Sequence, residues 1–361
     1  MDSTRITGLD ELEAHLDELV KDATIPLNAK LFDHVELQLT HANIPPLIPR
    51  LLPQLTTILK SYPDDPSILA SLTSKLLDPV PFTHILSLTD EASLILALQS
   101  PAPSANILAM TVLEKAAKAP ADAAILAGMK NLLAAFLHAW LISPDVSVGA
   151  KGSKVLGALL EVDSDLPLPA SREEITVPAR TRTPGEGRLW RRMFSDKAIS
   201  SIILRVCSGQ DAATRDDERQ LTLAQGRLLR ILPHLASLNF RAVSDISLRL
   251  DGDNVGAAAE ERRSLLHFAA LDMVNKRDRL MHLSLVDFFE AFVAAMSPHF
   301  SEPSPYKTET VRGLIRSATE RDAILKEALL SLPDRIAPEE QNALRSWIRE
   351  LMPGESIRVG H

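Results

Sequence analysis

Three apolar helical runs in the first 150 residues end in the same kind of turn and then restart as another apolar run. The turns are Leu59-x-Ser61-x-Pro63, Leu98-x-Ser100-Pro101 and Leu141-x-Ser143-Pro144, and their leucines stand 39 and 43 residues apart. Self-similarity at about 40 residues is the mark of HEAT- and armadillo-type helix pairs. One such pair cannot cover its own apolar face, so neighbours must stack. The expected fold is therefore all-α, an α-solenoid of stacked helix pairs, which presents a surface rather than enclosing a reaction. Ser67, Ser104 and Asp145 are expected to open the second helices of the pairs, each offering a side-chain oxygen to orphan backbone N–H groups. A second signature recurs as Leu51-Leu52-Pro53-Gln54-Leu55 and Ile231-Leu232-Pro233-His234-Leu235. A proline inside a helix removes one backbone hydrogen bond and bends the axis, as the first helix of a HEAT unit requires.

Composition agrees with stacking. At 361 residues and 45% hydrophobic content the chain can bury a large core, yet single globular cores stop growing near roughly 250 to 300 residues. A solenoid escapes that limit by extending its core along one axis. Aromatic content of 4% and only 14 glycines favour leucine-packed helices over sheet. The sole cysteine, Cys207, cannot close an internal disulfide, which points to a reducing compartment: the cytoplasm, with the nucleus also open. Met1 to Val20 is acidic and amphipathic, a capping helix without the basic start and apolar centre of a secretion signal. Ala123 to Ile142 is the most membrane-like stretch, but Lys130, Asn131 and His138 interrupt it and make it a buried solenoid helix instead. Residues 1–170 hold 11 Lys+Arg against 20 Asp+Glu, net −9, and the other 191 hold 28 against 27, net +1. An acidic front half favours a basic protein partner over nucleic acid or membrane, with a plain solvated face as the equal alternative.

Periodicity predicts helices over 9–22, 27–41, 44–60, 66–77, 84–99, 104–118, 121–142 and 146–161. Regularity then breaks over 164–188, rich in proline and arginine. It resumes over 189–194, 196–207, 219–237 and, after a turn at 251–259, over 260–296, 308–318, 319–331 and 338–352. The organisation expected is N-terminal repeats over 1–163, a loop over 164–188 and C-terminal repeats over 189–361, all in one solenoid.

No catalytic constellation emerges, and the chain is read as a non-enzyme with no cofactor and no metal. Gly149-Ala150-Lys151-Gly152-Ser153-Lys154 lacks the four-residue spacing of a phosphate-binding loop; its small residues suit close helix packing. Asp251 to Arg262 imitates a calcium loop, but Val255 and Arg262 stand where oxygen ligands are needed. His34 and His41, two turns apart, are taken as half-buried helix histidines, and Cys207, ending an apolar stripe, as a core residue. Arg180, Arg182, Arg188, Arg191 and Arg192 surround Trp190 and Phe194, an interleaving that can neutralise phosphates and stack on bases. The neighbouring acids Glu173, Glu174, Glu186 and Asp196 argue for a solvated or protein-binding loop instead.

Gly185 to Lys197, read Gly-Glu-Gly-Arg-Leu-Trp-Arg-Arg-Met-Phe-Ser-Asp-Lys and continuing through Ile202-Ile203 to Cys207-Ser208, resembles a known family. So do Val148 to Asp163, Ala224 to Leu229 and Leu265 to Ala270. The family is that of proteasome regulatory-particle assembly chaperones of the non-ATPase regulatory subunit 5 type, whose fungal members carry a mismatch-repair name. The resemblance spans about 140–300. It implies a HEAT-like solenoid whose concave face binds the C-terminal domain of one ATPase subunit of the proteasome base and blocks premature docking on the proteolytic core. It also implies a chain that is monomeric in isolation and makes no membrane contact. Expected contacts are Lys151, Lys154, Trp190, Arg191, Arg192, Asp196 and Lys197, since Trp and Arg are common interface anchors; Trp190 could equally close the core behind the loop. The rival reading is a nucleic-acid-binding or mismatch-repair scaffold using residues 180–192.

Overall fold

Helix starts are written into this chain as short polar side chains and as prolines. Asn28, Asp90, Asp196, Asp217, Asp278 and Asp322 each accept a backbone N–H of the first turn that follows them. Pro103, Pro120, Pro305 and Pro338 occupy first-turn positions, where a missing N–H costs nothing. The computed structural model describes residues 6–165, 183–244, 264–298 and 304–354. Among these it holds nineteen α-helical segments and no strand, packed as sequential helix pairs in the manner of a solenoid.

The chain divides into two units. The first comprises Met1–Ala139 and Asp145–Val155, the second Trp140–Pro144 and Leu156–His361. In the first, leucines at helical spacing form the core: Leu12, Leu16 and Leu19; Leu51, Leu55 and Ile58; Leu69, Leu72 and Leu76 are all fully buried. Each such side chain contributes about 1.5–3 kcal/mol by leaving water. Five polar ties between successive pairs share one step. Arg50 donates to Glu13, Gln54 Nε2 to Asp17, and Lys115 Nζ to the Asp78 carbonyl, each tie joining residues 37 apart. His41 faces Asp78 at 3.4 Å, and Lys151 donates to Glu114, again at that separation. The commonest step in this unit is thus 37 residues, with Ser71–Glu36 at 35 and Leu132–Glu91 at 41 on either side of it.

In the second unit the 21-residue helix Glu218–Leu238 packs against Arg279–Ala295. Its Gln225 donates to the carbonyls of both Cys207 and Met273, 2.9 Å each. Arg227 and Gln220, on the same helix, donate to the carbonyls of Trp140, Leu141 and Ile142. These are last-turn carbonyls of a helix, which have no partner within it. Burial pushes the Cys207 thiol well up, consistent with its place in the core.

Pro53 and Pro233 do lie inside helices. Several expectations need correction. The 84–99 run is two helices, Phe82–Leu88 and Glu91–Gln99, because Asp90 caps the second. The 121–142 run breaks after Gly128 into helices bent by 94°, and no single described helix is long and apolar enough to cross a membrane. The 260–296 run is interrupted by a π-helical turn at Phe268–Asp272, before Arg279–Ala295 begins. Asp145 caps as expected, accepting from Ser147 and Val148. Ser67 does not, since Asp65 accepts its N–H and hydroxyl. Ser104 follows Pro103 inside the first turn and its buried hydroxyl finds no partner. The helix holding His34 ends at Glu36, so His41 lies outside it and both rings are exposed.

Candidate functional site

The residues singled out on sequence fall in both units. Lys151 and Lys154 sit on the Val146–Val162 helix, in its first-unit portion. Their glycine-flanked run is helix interior and not the loop that a phosphate cradle requires. Both ammonium groups converge on Glu114, Lys154 Nζ at 3.1 Å from Oε1. Burial opposes ionisation of Glu114, but the two lysines outweigh it and hold its carboxyl below the usual range. Lys151 is largely covered, whereas Lys154 keeps most of its side chain in solvent.

The other five lie in the second unit, around a helix that begins without a local cap. Arg188–Phe194 opens behind Gly187, whose φ is +64° and whose missing side chain offers no acceptor. The acceptor is Asp163, 25 to 27 residues back and fully buried. Its Oδ1 takes the Arg188 N–H at 3.1 Å, and its Oδ2 takes those of Leu189 and Trp190 at 2.6 and 3.1 Å. Burial pushes the Asp163 carboxyl above its ordinary range against these three donors and the nearby Arg191 charge. The returning chain is fastened by Gly185 N–H to the Ser164 carbonyl and Gly187 N–H to that of Asp163, both 2.9 Å. A Cβ on Gly185 would lie 2.2 Å from the Asp163 carbonyl carbon, so only glycine fits.

Trp190 is buried, donates Nε1–H to the Leu160 carbonyl at 2.8 Å and stacks on Phe194 with centroids 5.3 Å apart. It therefore takes the second of its two sequence-based roles, closing the core, and offers no surface anchor. The arginines are largely engaged at home. Arg188 pairs with Glu186 at 2.5 Å, Arg191 donates to the Glu186 carbonyl at 2.8 Å, and Arg192 pairs with Asp196 at 2.7 Å. Asp196 is also the cap of Lys197–Cys207, accepting from Ala198. Lys197, one position on, is exposed. Arg180, Arg182 and the calcium-like run at 251–262 lie outside the described residues. Sequence reasoning named Asp163 only as the end of the Val148 to Asp163 stretch. The available signal was a helix opening on Gly-Glu-Gly with Gly187, not Ser, Thr, Asp or Asn, at the capping position, so that an acceptor must come from elsewhere.

Among the described residues no group of three or more His, Cys, Asp or Glu is placed to hold a metal ion. Residues 9–137 match the family described as DNA mismatch repair protein HSM3, N terminal domain. The match falls on the helix stack of the first unit and not on the 140–300 stretch where the resemblance was read. No curated protein matches the chain.

Proposed function

From the match of residues 9–137 to the HSM3 N-terminal domain, we propose that this chain is a member of that family and a non-enzymatic assembly chaperone of the proteasome regulatory particle. It holds the C-terminal domain of one base ATPase subunit along the open face of its stacked helix pairs. While held, that subunit is sterically kept from the proteolytic core, so binding free energy is converted into an order of assembly steps. The observation that carries this reading is the match of residues 9–137 to the HSM3 N-terminal domain. Lys154, Arg191 and Lys197 are the proposed charged contacts, being those of the sequence-based set that keep an exposed side chain. The reading places the protein in the cytoplasm, with access to the nucleus.

Affinity capture of the tagged full chain from its native lysate, with mass spectrometry of the eluate, is the test. Base ATPase subunits should copurify, and should be depleted when Lys154, Arg191 and Lys197 are all changed to Glu. Their absence from the wild-type eluate would reject the reading. The mismatch-repair wording of the family description keeps a nucleic-acid scaffold as the second reading. That alternative requires a complex with duplex DNA whose affinity falls steeply with salt, and a gel shift without a complex at low salt removes it.

A further inference from the structure

The second unit contains a cleft of about 260 Å³ between the turn at Ser264–His267 and the helix Pro305–Thr319. Its polar lining consists of Ser264, His267, Thr310, Arg316 and Ser317, with Gly313 opening its floor. What marks the cleft is an excess of hydrogen-bond donors. Ser264 Oγ accepts the His267 N–H at 3.1 Å, and its own proton has no acceptor among the described residues. The Ser317 hydroxyl and the exposed Arg316 guanidinium have none there either. His267 Nδ1 is shielded from solvent and makes no hydrogen bond, the closest carboxylate oxygen, Asp272 Oδ2, being 3.7 Å away. Only Thr310 is satisfied, donating to the Tyr306 carbonyl at 2.8 Å.

Two hydroxyls and a guanidinium around one small space offer donors to an acceptor with several oxygens, while His267 Nδ1 is turned toward Asp272. The forked guanidinium suits phosphate or carboxylate in particular. Space for such a group is present, since a Cβ built on Gly313 would meet nothing within 4 Å. We propose that this cleft binds an oxyanion, the phosphate or carboxylate of a small ligand or of a partner's side chain. The site is independent of the chaperone reading above, and neither stands or falls with the other.

Calorimetric titration of the full chain tests this with inorganic phosphate, with free glutamate, and with an uncharged peptide carrying one phosphoserine beside its unmodified serine parent. The wild type should bind at least one anionic probe and not the parent peptide. Tighter binding of the phosphopeptide than of inorganic phosphate assigns the oxyanion to a partner's side chain; equal binding assigns it to a free ligand. Arg316→Ala should weaken binding by about tenfold or more through loss of the charge-assisted fork. Gly313→Leu should weaken it equally by filling the floor, while improving helix propensity and leaving the melting temperature no lower. Should Gly313→Leu unfold the chain, Arg316→Ala alone decides. Absence of binding by every probe, or binding unchanged in Arg316→Ala, overturns the proposal.

Discussion

Replacing Asp163 separates its two roles, since Asn removes the charge and Ala removes the acceptors. In Asp163→Ala the Leu189 and Trp190 N–H groups, both on buried residues, lose their only acceptor. Each buried donor left unsatisfied costs about 1–3 kcal/mol. The Arg188 N–H lies where solvent can reach it, so water recovers part of its loss. The expected destabilisation is about 3 kcal/mol, above the roughly 0.5–2 kcal/mol of an ordinary cap deletion because two buried donors are orphaned at once. Asn keeps one oxygen for the Leu189 and Trp190 donors and loses only the Arg188 bond. Burial already disfavours the Asp163 charge, so surrendering it is cheap, and Asp163→Asn should cost about 1 kcal/mol. Two units make global unfolding an unsafe readout. Amide hydrogen exchange of the peptide spanning 185–196 reports the local opening directly. Relative to wild type, the opening constant should rise about 100-fold in Asp163→Ala and about fivefold in Asp163→Asn, at roughly 1.4 kcal/mol per factor of ten. Equal exchange in the two variants, or faster exchange in Asn, would refute the reasoning.

Arg227→Ala should leave the carbonyls of Trp140 and Leu141 without their donor, at 2.8 and 3.0 Å in the folded chain. The urea midpoint of the second unit should fall by the equivalent of about 2–4 kcal/mol, charged donors being worth more than neutral ones; a change below about 0.5 kcal/mol, the range of ordinary surface substitutions, contradicts it. Asp322 gives a pH prediction. Burial opposes its ionisation, yet the Leu325 N–H, Lys276 and His282 outweigh that and hold its carboxyl below the ordinary 3.8. The unfolded chain therefore binds the proton first as pH falls, so this stabilisation is complete above about 3.8 and is lost as pH drops through the lower folded value. Melting temperature against pH should show a shallower acid limb in Asp322→Asn than in wild type, and parallel limbs would exclude the linkage.

Much of the fold was legible because helical periodicity and capping are local. Leu12, Leu16 and Leu19 announce a buried face through spacings of four and three residues, and Asp145 and Pro53 act within one turn of themselves. The break at Asp90 was equally local and readable, as Asp-Glu-x-Ser is a helix start, but the continuous apolar run masked it. The repeat was visible as a spacing near forty, while its commonest step of 37 became measurable only when Glu13 met Arg50 and Glu114 met Lys151.

The candidate site was legible mainly as a list of residue types. Whether Trp190 faces solvent or the core depends on Leu160, 30 residues away. The arginines beside it differ, because Arg188 and Arg192 pair with Glu186 and Asp196, acids within four residues that the sequence already set against a free basic cluster. By itself the sequence determined where helices form, which faces are apolar and that the pairs must stack, because each of these depends on neighbours within a turn or two. Tertiary structure alone decided that Asp163 caps a helix that begins 25 residues further on and that Arg227 closes carbonyls 86 and 87 residues away. An unpaired backbone group takes whichever buried partner packing brings to it, and that choice carries no local signature.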